Sequence, residues 1–142
     1  MVDVLPAVYA ALSGNSSVTA LLGTWNTNPS IFTRRPVPER ASYPMIIINP
    51  PFSITNPEDA LVERRPSVSS DIAVYGEQEK HYRDVDAIAF LIRNQFHRIR
   101  TALTVSGYVV YEIVATGPIP APADDEEHIG RAVTLNIKLQ PE

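Results

Sequence analysis

The stretch from Glu79 to Arg100, EKHYRDVDAIAFLIRNQFHRIR, is the only long run of the chain free of glycine and proline. Val85, Ile88, Ala89, Ile92, Phe96 and Ile99 recur in it at helical spacing, and Tyr82 falls on the same side. Wound as a helix, these residues form one apolar stripe about 100° wide, as expected of a helix laid on a core. Arg83, Asn94 and His97 take the opposite face, so the spacing predicts a helix on the surface of a core and not one passing through it. Phe90 breaks the pattern by projecting near the middle of the polar face. Two readings are open for it: a single exposed apolar side chain, which is common, or a subunit contact.

The rest of the chain supplies strands for this helix to cover. Met45-Ile46-Ile47-Ile48 is a short continuous run of β-formers and predicts a central strand buried on both faces. Val68 to Tyr75 alternates, with Val68, Ile72 and Val74 on one face and Ser69, Asp71 and Tyr75 on the other. Tyr108 to Ala115 makes a third strand, separated from the helix by Ser106-Gly107. The last has the clearest signal: Val133, Leu135, Ile137 and Leu139 alternate with Ala132, Thr134, Asn136 and Lys138. Ile31-Phe32 adds a brief strand at most. At the N-terminus, Asp3 can cap a helix running to about Ser13, with Pro6 in its first turn and Val4, Val8, Ala11 and Leu12 on its buried side. Ser16 or Ser17 can cap a short second turn that ends at Gly23. Helices interrupt the strands without steady βαβ alternation. The expected fold is therefore α+β, a single domain over 1–142, with a mainly antiparallel sheet of about four strands. One long and one N-terminal helix pack on one face of it.

Proline is abundant, 13 residues in 142, and all but Pro6 lie outside the expected helices and strands. Such prolines stiffen extended connections, and long connections in a small domain are commonly functional. Residues 50–67 read as an extended loop or hairpin arm, with a turn signal at Asn56-Pro57. Ile54, Leu61 and Val62 lie there among Glu58, Asp59, Glu63, Arg64 and Arg65; an ordinary surface loop is the alternative. Residues 117–130 read as a long loop whose acidic run, Asp124, Asp125, Glu126 and Glu127, either attracts a basic partner or cation or forms a solvated tip.

Catalytic constellations are missing. There is no cysteine, so disulfides, thiolate nucleophiles and Cys-ligated zinc are excluded. His81 and His97 stand too far apart on one helix to share a metal. His128 beside Asp125 and Glu126 lacks a second histidine at ligand spacing and reads as a surface residue. No phosphate-cradling glycine loop or nucleophile elbow is present. Glu58-Asp59 has nothing apolar around it to raise a carboxyl pKa. The net charge of −4 argues against a general nucleic-acid binder. The N-terminus lacks the basic region of a signal peptide, and no apolar run approaches the roughly 20 residues of a membrane span. The residues thus predict no enzyme, no cofactor and no metal site.

The order of segments carries a resemblance. VYAALSGNSSVTALLG with its "ALL-G" stop (Ala20 to Gly23), the passage from Ile31 to Ile48 ending in YP-MIII, and a strand ending in VYG that runs into the long helix (Val74 to Phe96) resemble the tail-completion, or tail-terminator, proteins of long-tailed bacteriophages and phage-like gene transfer particles. The likeness spans nearly the whole chain and rests on small and apolar residues; the segment 117–130 is longer than the family pattern. It implies a virion protein of the tail or neck, assembled in the host bacterial cytoplasm. Copies would form a homo-oligomeric ring, a hexamer in the usual case, on the finished tail tube, ending its polymerisation and presenting a surface to the head–tail connector. DNA would pass through without specific binding. A closed ring needs two different patches per subunit, and Phe90 and the arm are the candidates, with the acidic run as a further contact. Competing classes are a head-completion or neck ring protein, a small ligand-binding domain, and a weak hydrolase using Glu58-Asp59 or Asp125-His128.

Overall fold

The computed structural model describes residues 4–33, 37–38, 40–50, 52–54, 67–121 and 127–141, with the side chains of 52–54 and 141 excepted. Its elements are α1 (Leu5–Ser13), α2 (Ser16–Thr19), β1 (Thr24–Trp25), β2 (Asn28–Pro29), β3 (Ile31–Phe32), β4 (Met45–Ile48), β5 (Phe52–Ile54), β6 (Ser67–Glu77), α3 (Gln78–Phe96), a single 3₁₀ turn (Arg100–Ala102), β7 (Tyr108–Ala121) and β8 (His128–Pro141).

The alternating residues of β8 organise the sheet. Val133, Leu135, Ile137 and Leu139 are fully buried, while Ala132, Thr134, Asn136 and Lys138 keep some exposure on the other face. β8 pairs antiparallel with β6 on one side and β7 on the other. The far edge of β6 is shared: β4 takes Ile72 to Tyr75 and β5 takes Ser67 to Ser69. β3 adds a parallel pair to β4, giving the order β3-β4-β6-β8-β7 with β5 beside β6. The α+β class and the mainly antiparallel sheet match the sequence reading. β3 is the brief strand expected at Ile31-Phe32, and the additional strand β5 is three residues long, too short to leave a period-2 signal. Within β4, Ile46 and Ile48 join the main core, and Met45 and Ile47 are buried on the opposite face beside Tyr75 and Ala73.

α3 lies across the sheet with Val85, Ile88, Ala89, Ile92 and Phe96 fully buried. Two residues assigned to that stripe leave it. Tyr82 is 46% exposed, its phenol oxygen accepting from Arg83 Nε at 3.0 Å, and Ile99 is 43% exposed. The helix stops at Phe96, short of Arg100, because Arg98 turns left-handed (φ +59°) and donates its N–H to the Ile113 carbonyl at 2.8 Å. A left-handed arginine costs about 1–2 kcal/mol; the tertiary hydrogen bond offsets it, and no glycine marks the stop in the sequence.

The N-terminal helix ends as expected, with Val8 and Leu12 buried; Asp3 lies outside the described residues. The cap of α2 is Asn15, not Ser16 or Ser17. Asn15 Oδ1 accepts from the backbone N–H of Ser17 and Val18, and Asn15 Nδ2 donates to Gln95 Oε1 at 2.8 Å. Gln95 Nε2 donates to the Ala11 carbonyl, so one amide pair ties α1, α2 and α3 together. Asn15→Ala should therefore cost about 1–2 kcal/mol, readable as a lowered urea midpoint with unchanged slope.

The expected long loop 117–130 is for the most part strand. β7 continues to Ala121 and β8 begins at His128, with pairs from Ile119↔Ala132 to Ala121↔Gly130. The bulge between Thr116 and Ile119 absorbs the proline that argued against a strand. Gly117 makes it possible: its φ is +112°, and a Cβ there would sit 2.6 Å from the Ala132 carbonyl oxygen.

Candidate assembly surfaces

The sequence-derived residues fall at separate places. Phe90 is 55% exposed on the outer face of α3, with Arg83, Ala87 and Asn94 exposed along the same side. Ile54 ends β5 and pairs with Ser67 at the start of β6, which makes a strand-paired base for the 50–67 segment. Glu58, Asp59, Leu61, Glu63, Arg64, Arg65, Asp124, Asp125 and Glu126 lie outside the described residues. Glu127 is exposed, and its carbonyl accepts the Gln78 N–H at 2.8 Å, joining the β7–β8 turn to the first turn of α3.

Both excursions leave from β6 or its partner, at opposite ends. Ser67 pairs with Lys138 and Ile54 at one end, and Glu77 pairs with His128 at the other. Ten residues of strand separate the two ends, about 33 Å. The described flanks of the two segments, Ile54 and Ser67 for one and His128 for the other, therefore lie at opposite ends of the sheet.

The three histidines are occupied structurally. His81 Nδ1 accepts the Glu77 N–H at 3.2 Å, which closes the start of α3. His97 Nδ1 accepts the Ala115 N–H at 3.2 Å. The His128 ring lies 4.7 Å from that of Tyr43. Among the described residues no three histidine, aspartate or glutamate side chains gather as a metal set, and no helix is long and apolar enough to cross a membrane. Charged pairs among the described residues include Asp86–Arg131 at 2.8 Å, Glu112–Lys138 at 3.3 Å and Glu77–Lys80 at 3.5 Å. They are all at least partly exposed, so each contributes little to stability.

β7 forms one edge of the sheet, where unpaired N–H and C=O groups invite a foreign strand. Here the edge is interrupted at four positions. The Ile113 carbonyl is taken by Arg98 N–H and the Ala115 N–H by His97 Nδ1. Further along, Pro118 and Pro120 have no N–H to offer.

Sequence reasoning missed one feature. Leu5, Pro6 and Tyr9 of α1 face Trp25, Ile31, Phe32 and Pro38 across an open, mainly apolar groove of about 620 Å³. Trp25 and Phe32 meet edge to face with centroids 6.0 Å apart. Gly23 places this corner. Its N–H donates to the Pro44 carbonyl and its carbonyl accepts the Ser30 N–H, and a Cβ would fall 2.4 Å from the Ser42 carbonyl oxygen. The clue in the sequence was a lone tryptophan in a proline-punctuated segment, Trp25 to Tyr43, that otherwise reads as irregular.

Comparison with the sequence models of known protein families gives no match, and comparison with curated proteins gives none either. Among solved structures, the chain is similar to one from the virion of a native gene transfer agent (GTA) particle. The TM-score is 0.73 at 12% identity, covering 95% of this chain and 92% of that one. At that identity the likeness is one of fold, and it runs through essentially the whole of both chains.

Proposed function

We propose that this chain is a non-catalytic structural protein of a phage-like virion. In this reading it assembles as a ring, a hexamer, that caps a tail tube, ends tube polymerisation and joins the tail to the head connector. The observation that carries the reading is the fold shared end to end with a protein of a gene transfer agent virion. The poles of β6 support it. A ring set between two other rings needs contacts above and below, and the flanks of segments 55–66 and 122–126 lie at opposite ends of the sheet. The acidic balance supports passage of DNA without retention.

Phe90 belongs to a contact with another chain in this reading. Phe90→Ser should shift stability by no more than about 0.5 kcal/mol, since the ring is largely in water, yet reduce assembly. Paired denaturation and native mass spectrometry on the variant check both halves.

The reading itself is tested by adding the purified chain to polymerising tail-tube protein of the same particle. Closed rings in native mass spectrometry, and tubes that stop elongating once capped, are expected. A chain that stays monomeric and leaves tube growth unchanged overturns it. Rings that ignore the tube but bind the connector move the chain to the neck of the particle.

A further inference from the structure

One of the bonds that guards β7 runs through a ring nitrogen that titrates. At the end of α3, His97 leaves the helix in extended backbone, its own N–H still donating to the Arg93 carbonyl at 2.8 Å. Arg98 then turns left-handed and donates its N–H to the Ile113 carbonyl at 2.8 Å, while His97 Nδ1 accepts the Ala115 N–H at 3.2 Å. Two residues thus stand in for a neighbouring strand against the outer margin of the sheet.

The two bonds respond differently to acid. The one from Arg98 to Ile113 joins backbone groups, which do not titrate. Nδ1 accepts a hydrogen bond only in the neutral ring, with the proton on Nε2; in imidazolium both nitrogens are donors. Imidazole is the side chain that ordinarily changes charge between about pH 5 and 8, and His97 is half-buried, so water reaches it. We propose that His97 is a pH-sensitive latch on the sheet: neutral, it closes the β7 edge at Ala115, and protonated, it releases that amide. The latch is complete above the titration range of the ring and is lost as the pH falls through it. A freed edge amide is the group with which an incoming strand pairs.

The surroundings give the imidazolium no new partner in exchange for the lost bond. The charged side chains on residues 93–102 are Arg93, Arg98 and Arg100, all cationic like the protonated ring. On β7, Glu112 is the one carboxylate, and it lies 3.3 Å from Lys138 Nζ. Tyr108 and Tyr111 bring phenols, whose ordinary range is far above that of imidazole. Level with Ile113 and Ala115, β8 carries Ile137 and Leu135, and β6 carries Val68 and Ser70, none of them charged. The described parts of α1 and α2 carry no charged side chain and one phenol, Tyr9.

The full-length chain tests this without any substitution. Amide exchange followed by NMR at about pH 7.5 and about pH 5, corrected for the intrinsic rate, should show protection at Ala115 falling about tenfold or more, in step with the ring nitrogen shifts of His97. Amides in the β6–β8 ladder should keep theirs. His81 Nδ1 accepts the Glu77 N–H in the same manner, so a variant must separate the two rings. His97→Asn offers a side-chain oxygen that accepts and does not titrate, and it should hold Ala115 at both pH values; His97→Ala should leave it open at both. A His97 ring that stays neutral through about pH 5 overturns the proposal, as does one that titrates while Ala115 keeps its protection. An equal loss of protection in His97→Asn on acidification overturns it too, by moving the pH dependence to another group.

Discussion

Replacing residues 55–66 with Asn-Gly is expected to leave a folded, thermally stable protein that no longer associates. Ile54 and Ser67 are direct antiparallel partners, so a two-residue type I′ turn connects them without disturbing β5 or β6. The fully buried core gathers under α3 on β4, β6, β7 and β8, none of which is touched. The thermal midpoint should stay within about 2 °C of the parent, less than 1 kcal/mol for a domain of this size. Association should weaken by at least about a hundredfold if Leu61 is the central anchor of the contact, as a buried anchor commonly is. Light scattering and a melting curve on one sample give the answer. A collapsed transition would mean that residues 55–66 belong to the core, and intact rings would mean that the subunits meet elsewhere.

Phe96→Ala is expected to be the most damaging single substitution in the helix. Phe96 is fully buried and heads the large side chains of the core. Truncating a buried phenylalanine costs about 3–5 kcal/mol from lost transfer energy and the cavity left behind. Domains of this kind have a total of about 5–15 kcal/mol, so the variant should lose a large share of its stability. The position aggravates the loss. Phe96 ends α3 one residue before His97 and two before Arg98, the pair that holds the β7 edge. Urea denaturation should show the shift in midpoint, and amide exchange at Ala115 should rise first. A change below about 1 kcal/mol would contradict the packing described here.

The parts of the fold that were legible in the sequence were those with a long repeat. The α3 stripe and the alternation of β8 each present four or more residues to one face, and both sit where periodicity puts them. What failed to show was set by contacts between distant residues. Arg98 leaves the helix for a carbonyl on β7, so Ile99 never reaches the stripe its spacing predicts. The prolines at 118 and 120 read as a loop, yet a bulge at Gly117 and pairing with β8 keep them in strand. Asn15 outcompetes two serines as a cap because Gln95, 80 residues away in sequence, holds its amide. The candidate site was half legible. Phe90 is as exposed as its helical phase requires. The groove at Tyr9 and Trp25 was not, since its walls come from a helix and two very short strands brought together only by the fold.

The guarded margin of β7 bears on how the chain behaves at high local concentration, where bare strands stack into fibrils. With the Ile113 carbonyl and the Ala115 amide already claimed from within, and prolines beyond them, the middle of this edge offers a neighbour's backbone an interrupted ladder. In the proposed ring the contacts between copies would then fall to side chains, whose shapes permit a count to be fixed, whereas an open ladder would admit one more strand indefinitely.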